Sequence, residues 1–69
     1  MHVKVKLLPV GKKIEDVIIQ DGSTGQELLA KLSLAPDAHI ITREGNPIPL
    51  DDEIKEGERI DIIRIVSGG

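Results

Sequence analysis

A chain of 69 residues with a formal net charge of −3 has room for one small domain, and its acidic balance argues against a nucleic-acid partner held by phosphate contacts. It contains no cysteine and no aromatic residue, which excludes a disulfide framework, a cysteine-based metal site or nucleophile, and stacking on bases. Its β-branched aliphatic residues favour sheet. The sequence shows no signal-peptide pattern and no apolar run of membrane-spanning length, so we expect a cytoplasmic protein with no membrane partner.

Two strands joined by a turn open the predicted fold. Residues 2–8 alternate apolar and polar with a period of two, which predicts a half-buried strand. Residues 9–13 are rich in turn formers, and residues 14–20 predict a second strand that pairs antiparallel with the first. The residues predicted to face inward are Val3, Val5 and Leu7 in the first strand, and Val17 and Ile19 in the second.

A helix is predicted to begin at Thr24 and to end near Ser33. The Thr24 side chain can accept a hydrogen bond from the first helical turn while Glu27 reaches back to the Thr24 N–H, which is a capping box. Three leucines at helical spacing form one apolar stripe that would pack on the sheet, and Pro36 prevents the helix from resuming. The stripe consists of Leu28, Leu29 and Leu32.

Three further strands are predicted in the second half of the chain. Residues 38–43 form the third strand, residues 44–46 a tight turn, and residues 47–50 a short edge strand, because prolines flank it. Residues 55–58 form a loop with a positive-φ glycine, and residues 59–66 the longest strand. The order ββαβββ with a single helix is a two-layer α+β arrangement in which the first and last strands can lie parallel in the centre.

The chain ends in Gly68 and Gly69 directly after an apolar run. Two glycines carry a large ordering cost and add nothing to a fold at a terminus. A backbone without Cβ atoms can enter a narrow channel in another protein's active site and present its carboxylate there. A frayed end or a cloning remnant is the alternative explanation.

Four segments, taken in order, match a known pattern. Residues 24–29 match its helix start, residues 43–49 (REGNPIP) its turn, residues 50–60 (LDDEIKEGERI) its acidic and hydrophobic segment, and residues 63–69 (IRIVSGG) its diglycine ending. The glycine and asparagine of the turn stand in reversed order. The chain thereby resembles the β-grasp ubiquitin-like proteins, particularly the prokaryotic branch of sulfur carriers and small archaeal modifiers. That branch includes the thiamin-pathway sulfur carrier, the small subunit of molybdopterin synthase and the ubiquitin-related modifier.

The resemblance implies a β-grasp domain over residues 1–66, with one helix across a mixed sheet of four or five strands, and a flexible diglycine tail at residues 67–69. It implies that an adenylating activating enzyme, using ATP that this chain does not bind, acts on the Gly69 carboxylate beside Gly68. A sulfur-acceptor enzyme would then receive a thiocarboxylate, or a target-protein lysine would receive an isopeptide bond. The chain itself would be a monomeric carrier or tag, with no catalytic residue, cofactor or metal, and not an enzyme.

The last strand also predicts a docking surface. If alternation holds, Ile60 and Ile62 face the helix while Ile63 and Ile65 face solvent beside the tail, and exposed apolar patches commonly mark interaction sites. The inward-pointing Arg64 would either escape toward the sheet edge or mark a bulge that resets the phase. Scattered apolar surface residues or an oligomer contact are the alternatives. The predicted docking residues are Ile63, Ile65, Val66 and Ser67.

Other candidate features favour simpler interpretations. The acidic residues of 51–58 could bind a hard cation or form a solvated loop, and they could also assist docking against a basic patch on a partner. His2 and His39 have no third ligand at metal-like spacing and are expected at the surface or a strand edge. A non-covalent β-grasp interaction module remains the alternative function, while no titratable groups converge as an independent enzyme would require.

Overall fold

The computed structural model describes residues 1–8 and 13–65, which form a five-stranded mixed sheet with one helix across one face. The strand order is β2-β1-β5-β3-β4; β1 and β5 are parallel neighbours, and the other pairs are antiparallel. The predicted element order and the central parallel pair are therefore confirmed. The elements are β1 (His2–Leu8), β2 (Ile14–Ile18), α1 (Gly25–Lys31), a 3₁₀ helix (Pro36–Ala38), β3 (His39–Arg43), β4 (Asn46–Ile48) and β5 (Arg59–Arg64).

Helix α1 begins with the predicted capping box. The Thr24 Oγ1 accepts a hydrogen bond from the Glu27 N–H at 3.3 Å, and the Glu27 Oε1 accepts one from the Thr24 N–H at 3.0 Å. The helix ends at Lys31, two residues before the predicted end, and Ser33 adopts a left-handed conformation with φ of 60°. None of the helices in the described ranges is long and apolar enough to span a membrane.

The core lies between α1 and the sheet, and it is entirely aliphatic. Helix α1 approaches the sheet closely at Gly25, where an added Cβ would lie 2.6 Å from the Ile41 Cδ1. Leu32 packs against the core from its half-buried position, so the predicted leucine stripe is confirmed. The buried residues are Val3, Val5, Val17, Ile19, Leu28, Leu29, Ile41, Ile54, Ile60 and Ile62.

Several details of the predicted strands are wrong. Strand β2 ends at Ile18 and not at residue 20, and β4 spans Asn46–Ile48 and not residues 47–50. Leu7, predicted to be inward, is 36% exposed, because helix α1 does not cover this end of the sheet. Strand β5 ends at Arg64 after six residues, so β1, with seven, is the longest described strand. Strand β5 ends there because its last partner, His39, is the first residue of β3. Val66, the tail at residues 67–69 and most of the turn predicted at residues 9–13 lie outside the described residues.

The second hairpin and the loops agree with their local sequence signals. Among the residues that the structure describes, strand β4 pairs only with β3 and forms one edge of the sheet, as its flanking prolines predict. The turn at Glu44 and Gly45 joins these strands, with both residues at positive φ. Gly57 has φ of 78° in the loop before β5, which confirms the predicted positive-φ glycine.

Candidate functional site

Strand β5 keeps strict alternation up to its end. Its register with β3 is continuous, from Ile60 opposite Arg43 to Arg64 opposite His39, which excludes a bulge within Arg59–Arg64. Arg64 therefore stays on the helix side of the sheet, beyond the end of the helix, and its side chain is exposed. The bulge predicted as one alternative for Arg64 is thus absent from Arg59–Arg64, and Arg64 reaches solvent at the end of the central strand and not at a lateral edge of the sheet.

The opposite face of β5 presents a row of apolar side chains at the same end. Ile63 lies opposite Leu8 of β1 and Ile40 of β3, and residues opposite each other in a sheet share a face. Ile65 follows two residues later; its N–H still donates to the Ala38 carbonyl oxygen at 2.8 Å, so the chain remains beside β3. We name these four residues the open-face patch: Leu8, Ile40, Ile63 and Ile65.

Exposure within the open-face patch agrees only in part with the prediction. Ile65 is 43% exposed, as predicted, and Ile40 is 38% exposed. Ile63 is half-buried, because it lies between two strands that flank it with apolar side chains. Leu8 and Ile40 were not predicted to belong to this surface. The alternation of residues 38–43 nevertheless places Ile40 on the face of the sheet opposite to the buried Ile41.

A polar row borders the open-face patch on the same face of the sheet. Lys6 and Asp61 lie opposite each other on β1 and β5, and both are half-buried. The Asp61 Oδ1 is shielded from solvent, and its nearest cationic group in the described structure is the Arg59 Nε at 3.5 Å. An apolar centre with a polar border has the composition of a protein-binding surface.

The acidic segment at residues 51–58 lies at the other end of the sheet. It leads into Arg59, the first residue of β5, whereas the open-face patch lies at the end of that strand. Four steps at the rise of an extended strand separate Arg59 from Ile63 by about 13 Å. The acidic segment is therefore separate from the open-face patch, and its assistance in docking stays a prediction.

Part of the acidic segment has an internal partner. The Arg43 guanidinium forms an ion pair with Glu58, donates to the Asp52 Oδ2 at 3.2 Å, and donates to the Glu53 carbonyl oxygen at 3.0 Å. The hydrogen bond with Glu58, assisted by the Asp52 charge, raises the pKa of Arg43 above its ordinary value. Arg43 and Glu58 line a depression of about 530 Å³. The pairing of Arg43 with Glu58 and Asp52 favours a structural role over cation binding.

Neither histidine forms part of a metal site in the described residues, where no group of three potential ligands converges. His2 is exposed near the start of β1. The His39 Nδ1 lies 2.7 Å from the Ala35 carbonyl oxygen. Because a carbonyl oxygen only accepts, this hydrogen bond requires the tautomer in which Nδ1 carries a hydrogen. Both positions agree with the surface and strand-edge locations expected from the sequence.

The predicted activation residues, Gly68 and Gly69, and the predicted docking residues Val66 and Ser67 lie outside the described residues. The described structure shows what precedes them. The central strand carries an apolar surface on one face at the point where the chain continues toward its diglycine. Adjacent to that surface, on the other face, Arg64 is the last strand residue.

Comparison with known proteins identifies the family. The family described as small archaeal modifier protein 2 matches residues 1–66. Small archaeal modifier protein 2 of Haloferax volcanii and an uncharacterized protein of Archaeoglobus fulgidus are each 29% identical to this chain over 69 residues, with both chains covered completely.

Solved structures agree on the fold. The structure of SAMP1 from Haloferax volcanii superposes with a TM-score of 0.74 at 18% identity, covering 100% of both chains. Ubiquitin of Caldiarchaeum subterraneum superposes with a TM-score of 0.72 at 18% identity, covering 100% of this chain and 98% of the other. The fold is the ubiquitin-like β-grasp, as the sequence predicted. The chain belongs to the small archaeal modifier protein 2 family.

Proposed function

We propose that this chain is a ubiquitin-like modifier or sulfur carrier, and that a partner enzyme activates its Gly69 carboxylate. The observation that carries the proposal is the arrangement at the end of β5. The central strand of a β-grasp sheet runs past an exposed apolar patch, and four residues later the sequence reaches a diglycine carboxylate. Membership of the small archaeal modifier protein 2 family supports the same interpretation.

The chemistry requires activation because a carboxylate is a poor acyl donor: its oxide is a poor leaving group. In the proposed first step, a Gly69 carboxylate oxygen attacks the α-phosphorus of ATP on the partner enzyme, and pyrophosphate leaves. In the second step, a nucleophile attacks the carbonyl carbon of the acyl-adenylate, and AMP leaves with the bonding electrons. Attack by hydrosulfide gives a thiocarboxylate directly, whereas attack by a lysine amine, which then loses a proton, gives an isopeptide bond.

This chain contributes recognition and not catalysis in the proposed reaction. Glycines at positions 68 and 69 leave the backbone without side chains where the partner's active site must enclose it. The open-face patch, extended by Val66 and Ser67, is the proposed docking surface for the activating enzyme. The partner would supply the ATP site, and the final acceptor would be a sulfur-acceptor enzyme or a lysine of a target protein.

The experiment that tests this function has two parts. The purified chain, added to the activating enzyme of the same organism, should stimulate exchange of radiolabelled pyrophosphate into ATP. Intact mass spectrometry of the protein from its native cells should then separate the two fates. Replacement of one C-terminal oxygen by sulfur indicates sulfur carriage, whereas diglycine remnants of this chain on lysines of other proteins indicate tagging.

A non-covalent interaction module is the second candidate, because the open-face patch could serve it equally well. Such a module would not need a free carboxylate. Extending the C-terminus by three alanines should therefore abolish pyrophosphate exchange if Gly69 is the acyl group, while a non-covalent module would keep its affinity for the same partner. Retained affinity together with the absence of any exchange by the unextended chain would favour the module.

We expect Ile63→Asp to raise the apparent KM for this chain in the exchange reaction roughly tenfold or more, because it places a charge at the centre of the proposed interface. The matched control is Ile18→Asp. Ile18 is 62% exposed and lies on the same face of the sheet as Ile63, but on the edge strand β2 and at the opposite end. Equal effects of the two substitutions would argue against docking through the open-face patch.

A further inference from the structure

A second apolar surface lies on the other face of the sheet, at the same end of β5. It is a groove of about 360 Å³ between the strand ends and the segment that follows α1. Leu7 and Ile62, opposite each other on β1 and β5, contribute from the sheet, and Leu34 and Ala38 contribute from the segment after the helix. The groove exists because α1 ends at Lys31 and leaves this part of the sheet uncovered.

The described lining of the groove holds a cationic side chain and no anionic one. Arg64 lines it and, within the described residues, forms no ion pair. His39 also lines it, and its Nδ1 bonds to the Ala35 carbonyl oxygen, which leaves the Nε2 for another partner. No acidic residue is among the residues that line the groove; Asp37 is exposed nearby on the 3₁₀ helix but does not line it.

These observations define the chemistry of an occupant. An aliphatic side chain would remove from water part of the surface of Leu7 and of the half-buried Leu34, and an adjacent carboxylate would pair with Arg64. The groove is at the small end of the roughly 300–1,000 Å³ typical of ligand pockets, where small molecules are mostly enclosed. Leu7, 36% exposed, and the exposed Arg64 leave this groove open to solvent, which suits a peptide segment better than an enclosed small molecule.

We propose that this groove binds a segment of a partner protein in which an aliphatic residue is followed directly by an acidic one. The binding uses no tail chemistry, so it is independent of Gly69 activation. On β5 it uses Ile62 and Arg64, which lie on the face opposite to Ile63, although Leu8 of the open-face patch also lines the groove. One partner, or two different partners, can therefore contact both faces of the strand that leads to the tail.

The proposal is tested by following backbone amide resonances of the ¹⁵N-labelled protein during titration with an acetylated and amidated Ser-Gly-Leu-Glu-Gly-Ser peptide. We expect shifts concentrated at Leu7, Leu34, Ala38 and Arg64. Replacing the peptide glutamate by glutamine should weaken binding severalfold, because the charge complementarity is lost. Binding of the glutamate peptide should also weaken as salt is added.

Protein variants test the two parts of the groove separately. Arg64→Glu should weaken peptide binding roughly tenfold, because attraction becomes repulsion at a partly solvated site. Lys55→Glu makes a comparable charge change in the exposed loop before β5, at the opposite end of the sheet, and should leave the affinity unchanged. Ala35→Asp places a carboxylate in the groove lining at the N-cap of the 3₁₀ helix, a position that favours aspartate, and should abolish binding without unfolding.

Several outcomes would overturn the proposal. Absence of shifts, shifts centred on the open-face patch, or unchanged affinity in Arg64→Glu would each reject it. If truncation after Ile65 shifts the groove resonances and strengthens peptide binding, the chain's own end is the occupant instead. If the groove resonances shift with protein concentration before any peptide is added, a second copy of this chain is the occupant of the groove. Failure of pyrophosphate exchange alone leaves this proposal intact.

Discussion

We expect deletion of Gly69 to lower pyrophosphate exchange by at least about a hundredfold, to background. The four residues after Ile65 can extend at most about 14 Å, so the carboxylate has little reach to spare. Removing one residue withdraws it by about 3.5 Å, and a misplacement of even 1 Å can cost about a hundredfold in rate. The measurement is exchange at saturating activating enzyme, with thermal unfolding as the check that the fold is unchanged.

Two further variants separate reach from glycine identity. Deleting Ser67 shortens the end by the same amount but keeps the diglycine, and Gly68→Ser keeps the length but adds a side chain. If reach alone governs activation, only the Ser67 deletion should match the loss seen without Gly69. If the partner's channel excludes side chains, Gly68→Ser should fail as well. Full exchange by the chain lacking Gly69 would reject the proposed function.

Replacing Ile62 by alanine should lower the free energy of unfolding by about 3–4 kcal/mol, which is close to the cost of truncating a fully buried isoleucine. Ile62 has no exposed surface and lies on the central strand, with Leu7 and Ile41 as its register partners. A domain of this size has a total stability of only about 3–10 kcal/mol. The substitution should therefore remove roughly a third or more of the total stability.

Urea or guanidinium unfolding followed by circular dichroism measures this effect. The control is Ile18→Ala, which removes the same atoms from a side chain that is 62% exposed. It should cost less than about 1 kcal/mol, because the side chain leaves little cavity behind. A similar loss in both variants would contradict the placement of the core between α1 and the sheet.

The sequence predicted those features of the fold that depend on local chemistry. The capping box at Thr24 and Glu27 requires only four consecutive positions, and it is present. Val17 and Ile19 are buried as predicted, although Ile18 between them made the alternation ambiguous. Proline before and after Ile48 predicted an edge strand for the same local reason: proline cannot donate to a second neighbour.

Features that depend on register or on element ends could not be obtained in this way. Leu7 follows the alternation of β1, yet its exposure depends on where α1 ends. Leu8 and Ile40 join Ile63 only because β5 lies between β1 and β3. The sequence predicted the half of the open-face patch that lies on one strand, and the neighbouring strands supply the rest.

The acidic segment shows the same limit for charges. From the sequence, its carboxylates could face a partner, a cation or water. In the fold, Arg43 lies beside Asp52 and Glu58, although 9 and 15 positions separate them along the chain. The pairing of β3 with β5 sets Arg43 opposite Ile60, two residues from Glu58. Arg43 itself gave no local signal of this role. Tertiary structure determines which charged groups pair, even where the sequence shows clearly that a segment is acidic.

The position of β5 has a consequence for the anchoring of the tail. Because hydrogen-bonded neighbours flank it on both sides, its amides can exchange with solvent only through openings that split the sheet. Edge strands β2 and β4 can fray without disturbing it. The tail that a partner enzyme would engage is thus attached to the strand that we expect to open last when the domain unfolds.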